Sequence, residues 1–134
     1  MHISPYLNFD GQCKEAFEFY AEVLGGEIVF MSTFAEAPDD VDCSPGLKDK
    51  IMHAQLKVGE QIIMASDASP QNYDIPQGIN ITIGVDTPEE AERIYEALSE
   101  GGTVRMPMEE TFWAKRFAVF SDRFGIPWMV NCDK

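Results

Sequence analysis

Two stretches of this chain carry helical spacing, and each is preceded by one alternating stretch and followed by three. Residues 12–25 (QCKEAFEFYAEVLG) place Ala16, Phe19, Tyr20, Val23 and Leu24 on one helical face, with Gly25 and Gly26 as a stop. Residues 87–100 (TPEEAERIYEALSE) repeat the plan. Thr87 is placed to cap the first turn, Pro88 takes the first helical position, acids fill the first turn, and Gly101 and Gly102 end it.

Before each helix runs a strand ending in Asp, ISPYLNFD (3–10) and INITIGVD (79–86). After the first helix come EIVFMSTF, IMHAQLKV and QIIMASD; after the second come TVRMPM continuing toward Thr111, RFAVFSD and IPWMVNC. Turns fall at Gly59 and near Gly125, so each half reads βαβββ. Shifted by 75 positions, Glu15, Ala16, Tyr20, Gly26, Val29 and Met31 fall on Glu90, Ala91, Tyr95, Gly101, Val104 and Met106. That many identities imply a duplicated unit, and the two leading strands match at a shift of 76. The expected fold is α+β: one domain over 1–134 made of two tandem βαβββ modules, about 1–70 and 78–134, forming a curved mixed sheet around a cleft. The segment 37–49 (APDDVDCSPGLKD) has no counterpart in the second half and reads as a loop.

A sheet packed under helices is apolar on the helix side, so alternation identifies the other face. In IMHAQLKV, Met52, Ala54, Leu56 and Val58 oppose His53, Gln55 and Lys57. In the first strand Leu7 and Phe9 oppose Ser4, Tyr6 and Asn8; in the fifth, Ile79, Ile81 and Ile83 oppose Asn80 and Thr82. The face away from the helices is therefore expected to be polar and mostly uncharged. Eight strands with two helices leave that face to water, to another subunit or to a ligand, and polar groups mixed with large aromatics favour a pocket.

Charge and composition narrow the partners. Ten Lys and Arg stand against 23 Asp and Glu, a net charge of −13 that opposes attraction to nucleic acid or anionic lipid. Cys13, Cys43 and Cys132 are odd in number, far apart and without zinc spacing, so they are expected to be reduced thiols of a cytoplasmic protein. MHISPYLNF lacks the features of a secretion signal and no stretch is long and apolar enough for a membrane span, so neither export nor membrane insertion is expected.

The stretches SPYLNFDGQCKEAFEFYAEVLGG, IMHAQL and EETFWAKRFAVFSDRFGIPWMVN resemble the vicinal oxygen chelate superfamily of glyoxalase I, extradiol dioxygenases and fosfomycin- and bleomycin-resistance proteins. More narrowly, they resemble its PhnB-like branch, sometimes labelled demethylubiquinone methyltransferase-like, over nearly the whole chain. The resemblance implies paired βαβββ modules around a cleft and a homodimer. Metal enzymes of the superfamily take His and Glu from strands one, four, five and eight. Carried over, those positions fall near Ser4, Ile63, Asn80 and Met129, none of which suits a divalent metal, so no metal and no cofactor are expected. The methyltransferase label meets no Gly-rich strand-to-helix turn.

His53 interrupts its strand on the proposed pocket face, where it is either a general base or donor, or a histidine satisfied by its sheet neighbours. Glu110 is the second catalytic candidate, against a solvated-face alternative. Tyr6, Asn8, Gln55, Asn80, Thr82, Phe112 and Trp113 are the ligand-binding candidates, the two aromatics offering apolar walls or else core or dimer contacts. The expected function is binding of a small organic ligand on the concave sheet face, without the usual metal site and without chemistry. The alternative is a lyase- or isomerase-like enzyme using His53 and Glu110, with or without a nonstandard metal site. A third reading fills the face with another protein chain.

Overall fold

Each half of the chain begins with a strand that runs directly into a helix, and both helices have an identifiable reason to start where they do. The computed structural model describes residues 1–38 and 46–134. Cys43 and most of the loop expected at 37–49 lie outside the described residues. The first compact unit, Met1–Asp74, contains β1 (Tyr6–Phe9), α1 (Cys13–Leu24), β2 (Glu27–Thr33), β3 (Ile51–Val58) and β4 (Gln61–Asp67). The second, Ile75–Lys134, contains β5 (Ile81–Val85), α2 (Pro88–Ser99), β6 (Thr103–Glu109), β7 (Ala114–Ser121) and β8 (Pro127–Asp133).

The fold is α+β, two tandem βαβββ modules. The strands divide into two four-stranded sheets, ordered β1-β4-β3-β2 and β5-β8-β7-β6. In each sheet the first strand pairs in parallel with the last, and the remaining pairs are antiparallel.

In α2 the Thr87 hydroxyl accepts from Glu90 N at 3.2 Å, as its cap position requires. In α1, Gln12 makes no side-chain cap; the buried carboxylate of Asp67 at the end of β4 accepts from Cys13 N at 2.9 Å instead. Its second oxygen accepts from Ile51 N at 2.9 Å, tying helix start to sheet. The buried face of α1 is Cys13, Ala16, Phe17, Tyr20 and Val23, so the apolar stripe runs through Phe17 rather than Phe19 and Leu24. The stripe is set by Cys13, a core residue one turn ahead of the face inferred from Ala16 onward.

Phe9, Phe17 and Tyr20 pack ring on ring beneath α1, with the Phe9–Phe17 pair edge-to-face at 6.2 Å. Tyr95 meets Phe120 edge-to-face at 5.6 Å under α2, beside the fully buried Trp128. Burial of each such ring is worth roughly 1.5–3 kcal/mol.

The helix-to-strand turns are built on glycine pairs. Gly25 and Gly101 hold φ of 66° and 76°. A Cβ on Gly26 would come within 2.7 Å of Lys57 O, and one on Gly102 within 2.1 Å of Ser121 O. Structure thus equates Gly26 with Gly102, not Gly101, because the second unit spends one more residue, Glu100, at the helix end. Of the identities found at a shift of 75, those in the helices mark equivalent positions and those beyond them do not.

Candidate functional site

The open face of the first sheet, away from α1, is assembled by strand register. Across it, Tyr6 stands beside Met64, Met64 opposite Gln55, and Gln55 opposite Phe30; one step along, Ser32 stands opposite His53 and Asn8 beside Ser66. Alternation brings them together: in β1 the pattern is exposed, buried, exposed, buried for Tyr6, Leu7, Asn8 and Phe9.

His53 is the centre of this face. Its Nδ1 lies 3.1 Å from the Tyr6 hydroxyl and its Nε2 lies 3.1 Å from Gln55 Nε2. The imidazole stacks on Tyr6 at 24° with centroids 5.7 Å apart, and meets Phe30 at 5.7 Å on a tilt. Because an amide nitrogen only donates, Gln55 donates to Nε2, and in the neutral ring the proton then sits on Nδ1. In that tautomer Nδ1–H donates to the Tyr6 oxygen and the Tyr6 hydroxyl hydrogen points elsewhere; in the other tautomer Tyr6 donates to Nδ1. Ser66 donates to Asn8 Oδ1 at 3.4 Å. Ser32 Oγ is buried with no hydrogen-bond partner among the described residues, a deficit of about 1–3 kcal/mol if nothing fills it.

Tyr6, Asn8, His53 and Gln55 therefore share one face. Phe30, Ser32, Met64 and Ser66 join them; of these Phe30, Ser32 and Ser66 were not singled out in the sequence, and period-two alternation of β2 and β4 is the signal that finds them, obscured in β2 by register shifts at Ile28/Phe30 and Ser32/Thr33.

The other candidates lie in the second unit. Glu110 is exposed and pairs with Lys134 at 3.3 Å. Phe112 is 89% exposed and meets Trp113 edge-to-face at 4.8 Å; Trp113 in turn meets Phe117 at 5.1 Å. Thr111 Oγ1 holds that turn by accepting from Trp113 N and Ala114 N. Thr82 gives its hydroxyl to the Met129 sulfur at 3.6 Å, and Asn80 Oδ1 is buried without a partner among the described residues. The polar character expected of both open faces holds for the first sheet and for β5. It gives way on β7, where Phe117 and Val119 pack with Met129.

Among the described residues no three His, Cys, Asp or Glu side chains gather as a metal ion requires. Of the four positions carried over for a metal, Ile63 is buried on the helix side; its open-face neighbour is Met64. Of the described cysteines, Cys13 is fully buried, and burial first, then the adjacent Asp67 charge, push its pKa up to about 12, which disfavours its reactive thiolate. Cys132 is fully buried as well. No helix among the described residues is long and apolar enough to cross a membrane.

Residues 1–131 match the family described as 3-demethylubiquinone-9 3-methyltransferase. The chain is similar to protein YjdN of Escherichia coli strain K12, 34% identical over the whole chain and 97% of that protein. The crystal structure of protein PA1353 from Pseudomonas aeruginosa is similar at 48% identity and a TM-score of 0.91, over 99% of this chain and 98% of that one. The PhnB protein of Bacillus cereus is 25% identical with a TM-score of 0.85, over 98% of this chain and 99% of that one. A glyoxylase/bleomycin resistance protein/dioxygenase domain from Frankia shares the fold at 14% identity and a TM-score of 0.62, over 99% of this chain and 95% of that one.

Proposed function

The chain belongs to the family described as 3-demethylubiquinone-9 3-methyltransferase, and on that premise we propose that it binds a small organic ligand on the open face of its first sheet. The observation that carries this reading is the Gln55–His53–Tyr6 relay. With both imidazole nitrogens engaged inside the relay, His53 fixes the Tyr6 hydroxyl rather than exchanging protons itself. Tyr6 then donates to a ligand oxygen, Phe30 supplies an apolar wall, and Asn8 with Ser66 offers further polar contacts. The ligand class that fits is small, planar and uncharged, with a carbonyl-type oxygen. The quinone ring in the family description is of that kind.

Methyl transfer would call for a bound methyl donor, and the turns where a nucleotide-type group sits do not fit one. Gly11 is the one glycine of the two strand-to-helix turns, with Lys50 reaching across it to donate to Gly11 O at 3.1 Å. Both helix starts already receive oxygens of the chain, from Asp67 and from Thr87. Glu110, engaged with Lys134, and the second-unit candidates Asn80, Thr82, Phe112 and Trp113 are not needed for this site. Cytoplasmic residence and homodimerisation belong to the same reading; they rest on the cysteine usage and on the family resemblance.

Acetophenone, an acceptor with no donor, is the probe. Titrated into isotopically labelled protein, it is expected to shift the amide signals of Tyr6, His53 and Gln55, and Tyr6→Phe is expected to weaken it about tenfold, the loss of one hydrogen bond worth about 1.4 kcal/mol. Equal affinity in Tyr6→Phe, or shifts confined to other residues, would overturn the proposal.

A further inference from the structure

The strands that lead into the two helices are both followed by an aspartate, and the residue after that aspartate differs. β1 runs into Asp10 and Gly11, β5 into Asp86 and Thr87. Asp10 is the one aspartate or asparagine in the sequence that is followed by glycine.

An aspartyl Cγ and the amide nitrogen of the next residue are tethered through the aspartate's own Cα, so rotation about χ1 and ψ alone brings them together. Closure is ordinarily prevented when either group is engaged, or when a side chain on the following residue crowds the nitrogen. At Asp10 none of these guards is present. Asp10 is exposed, and its carboxylate has no hydrogen bond or ion pair among the described residues. Asp67 and Asp122, by contrast, are buried with both oxygens accepting. Gly11 N donates to nothing among the described residues, and Gly11, at φ of 87°, brings no Cβ to the turn.

The second unit shows the guarded arrangement. Thr87 sets a stiff, branched side chain beside the amide that follows Asp86, and its hydroxyl is committed to Glu90 N at 3.2 Å.

We propose that Asp10–Gly11 is a site of spontaneous backbone isomerisation. Gly11 N bonds to Asp10 Cγ; the carboxyl, protonated as it reacts, loses its hydroxyl as water together with the Gly11 N–H proton, and a succinimide ring forms. Water then reopens the ring. Breaking the N–Cγ bond restores aspartate, whereas breaking the original peptide bond leaves the chain running through Cγ as isoaspartate. No atom is gained or lost overall, and water is the one co-reactant. The product carries an extra backbone methylene between β1 and α1, where Lys50 Nζ reaches Gly11 O at 3.1 Å and Asp67 holds Cys13 N at 2.9 Å. The start of α1 is therefore loosened as the protein ages.

The full chain, aged for weeks at neutral pH in heavy-oxygen water and mapped by fragmentation that separates isoaspartate from aspartate, tests this. The Asp10 peptide is expected to accumulate isoaspartate and heavy oxygen to several times the level of the Asp86 peptide. Asp10→Glu, which can close only to a larger and slower ring, is expected to stop the reaction and to hold its thermal midpoint through ageing while that of the parent falls. Asp10→Asn, nearly isosteric at an exposed position, is expected to reach the same isoaspartate faster, with loss of ammonia. Isoaspartate no more abundant at Asp10 than at Asp86, an Asp10→Asn variant that keeps its amide, or an equal fall in thermal midpoint for the parent and Asp10→Glu would each overturn the proposal.

Discussion

The two units share one plan and differ at the positions that confer chemistry. In the first, the open face carries Tyr6, His53, Gln55 and Phe30 in a closed hydrogen-bond and ring network. At the corresponding register positions the second carries Thr82, Phe117, Val119 and Met106, an apolar surface in which Asn131 Oδ1 is left over. The buried carboxylates have also been placed differently. Asp67 joins the start of α1 to β3, whereas Asp122 holds the β7–β8 turn by accepting from Phe124 N, Ile126 N and the Trp128 indole at 2.9, 3.0 and 2.8 Å. A duplicated scaffold keeps its glycines and ring packing because backbone geometry demands them. Its open faces are under no such demand and are free to diverge.

Those differences can be broken one at a time. The largest effect is expected from the carboxylates: Asp122→Ala, which strands three donors, should destabilise by about 4 kcal/mol, and Asp67→Ala, which strands two, by about 3 kcal/mol, read in urea unfolding. Alkaline pH should single out the first unit. The folded Cys13 pKa of about 12 lies above the ordinary thiol value of 9.0, so its contribution is fully present below pH 9 and is lost as pH climbs toward 12. Stability measured across that range should fall less steeply in Cys13→Ala than in the parent.

A smaller and more pointed change is His53→Phe, which gives the first unit the side chain that the second has at Phe117. It should cost no more than about 1 kcal/mol of stability, the ring being only partly buried, yet weaken acetophenone by up to about tenfold by releasing Tyr6. The smallest effect is expected on the solvent face of α2, where Arg93 pairs with Glu90 at 2.6 Å and its hydrogen bond holds the Glu90 carboxyl below the usual range. That contribution is present at neutral pH and lost as pH falls through the lowered value. Glu90→Gln should change stability by only a few tenths of a kcal/mol, because water screens the pair.

Much of this architecture was legible in the residues. Period and punctuation located both helices and all eight strands, and alternation in IMHAQLKV put His53 and Gln55 on the face opposite the core. The helix stripe was misjudged at Phe19 because Cys13, a small sulfur side chain at a helix start, carries no strong apolar signal. The duplication was read at a shift of 75 through the helix and the strand after it, yet from β2 to β6 the true register is 76, since Glu100 is an insertion that the backbone contacts at Gly26 and Gly102 disclose. The unpaired Asn131 Oδ1 escaped notice for a different reason: an unpaired oxygen is a property of strands side by side, and an asparagine in a strand is not unusual alone.

The measurement that bears most directly on the first-unit site needs no ligand. Long-range nitrogen–proton correlation of the His53 ring, recorded at a pH where the imidazole is neutral, reports which nitrogen holds the proton. The relay predicts a protonated Nδ1 and a bare Nε2, which leaves the Tyr6 hydroxyl hydrogen free to donate. A proton on Nε2 would mean that Tyr6 donates into His53 instead, and the proposed ligand contact would have no donor.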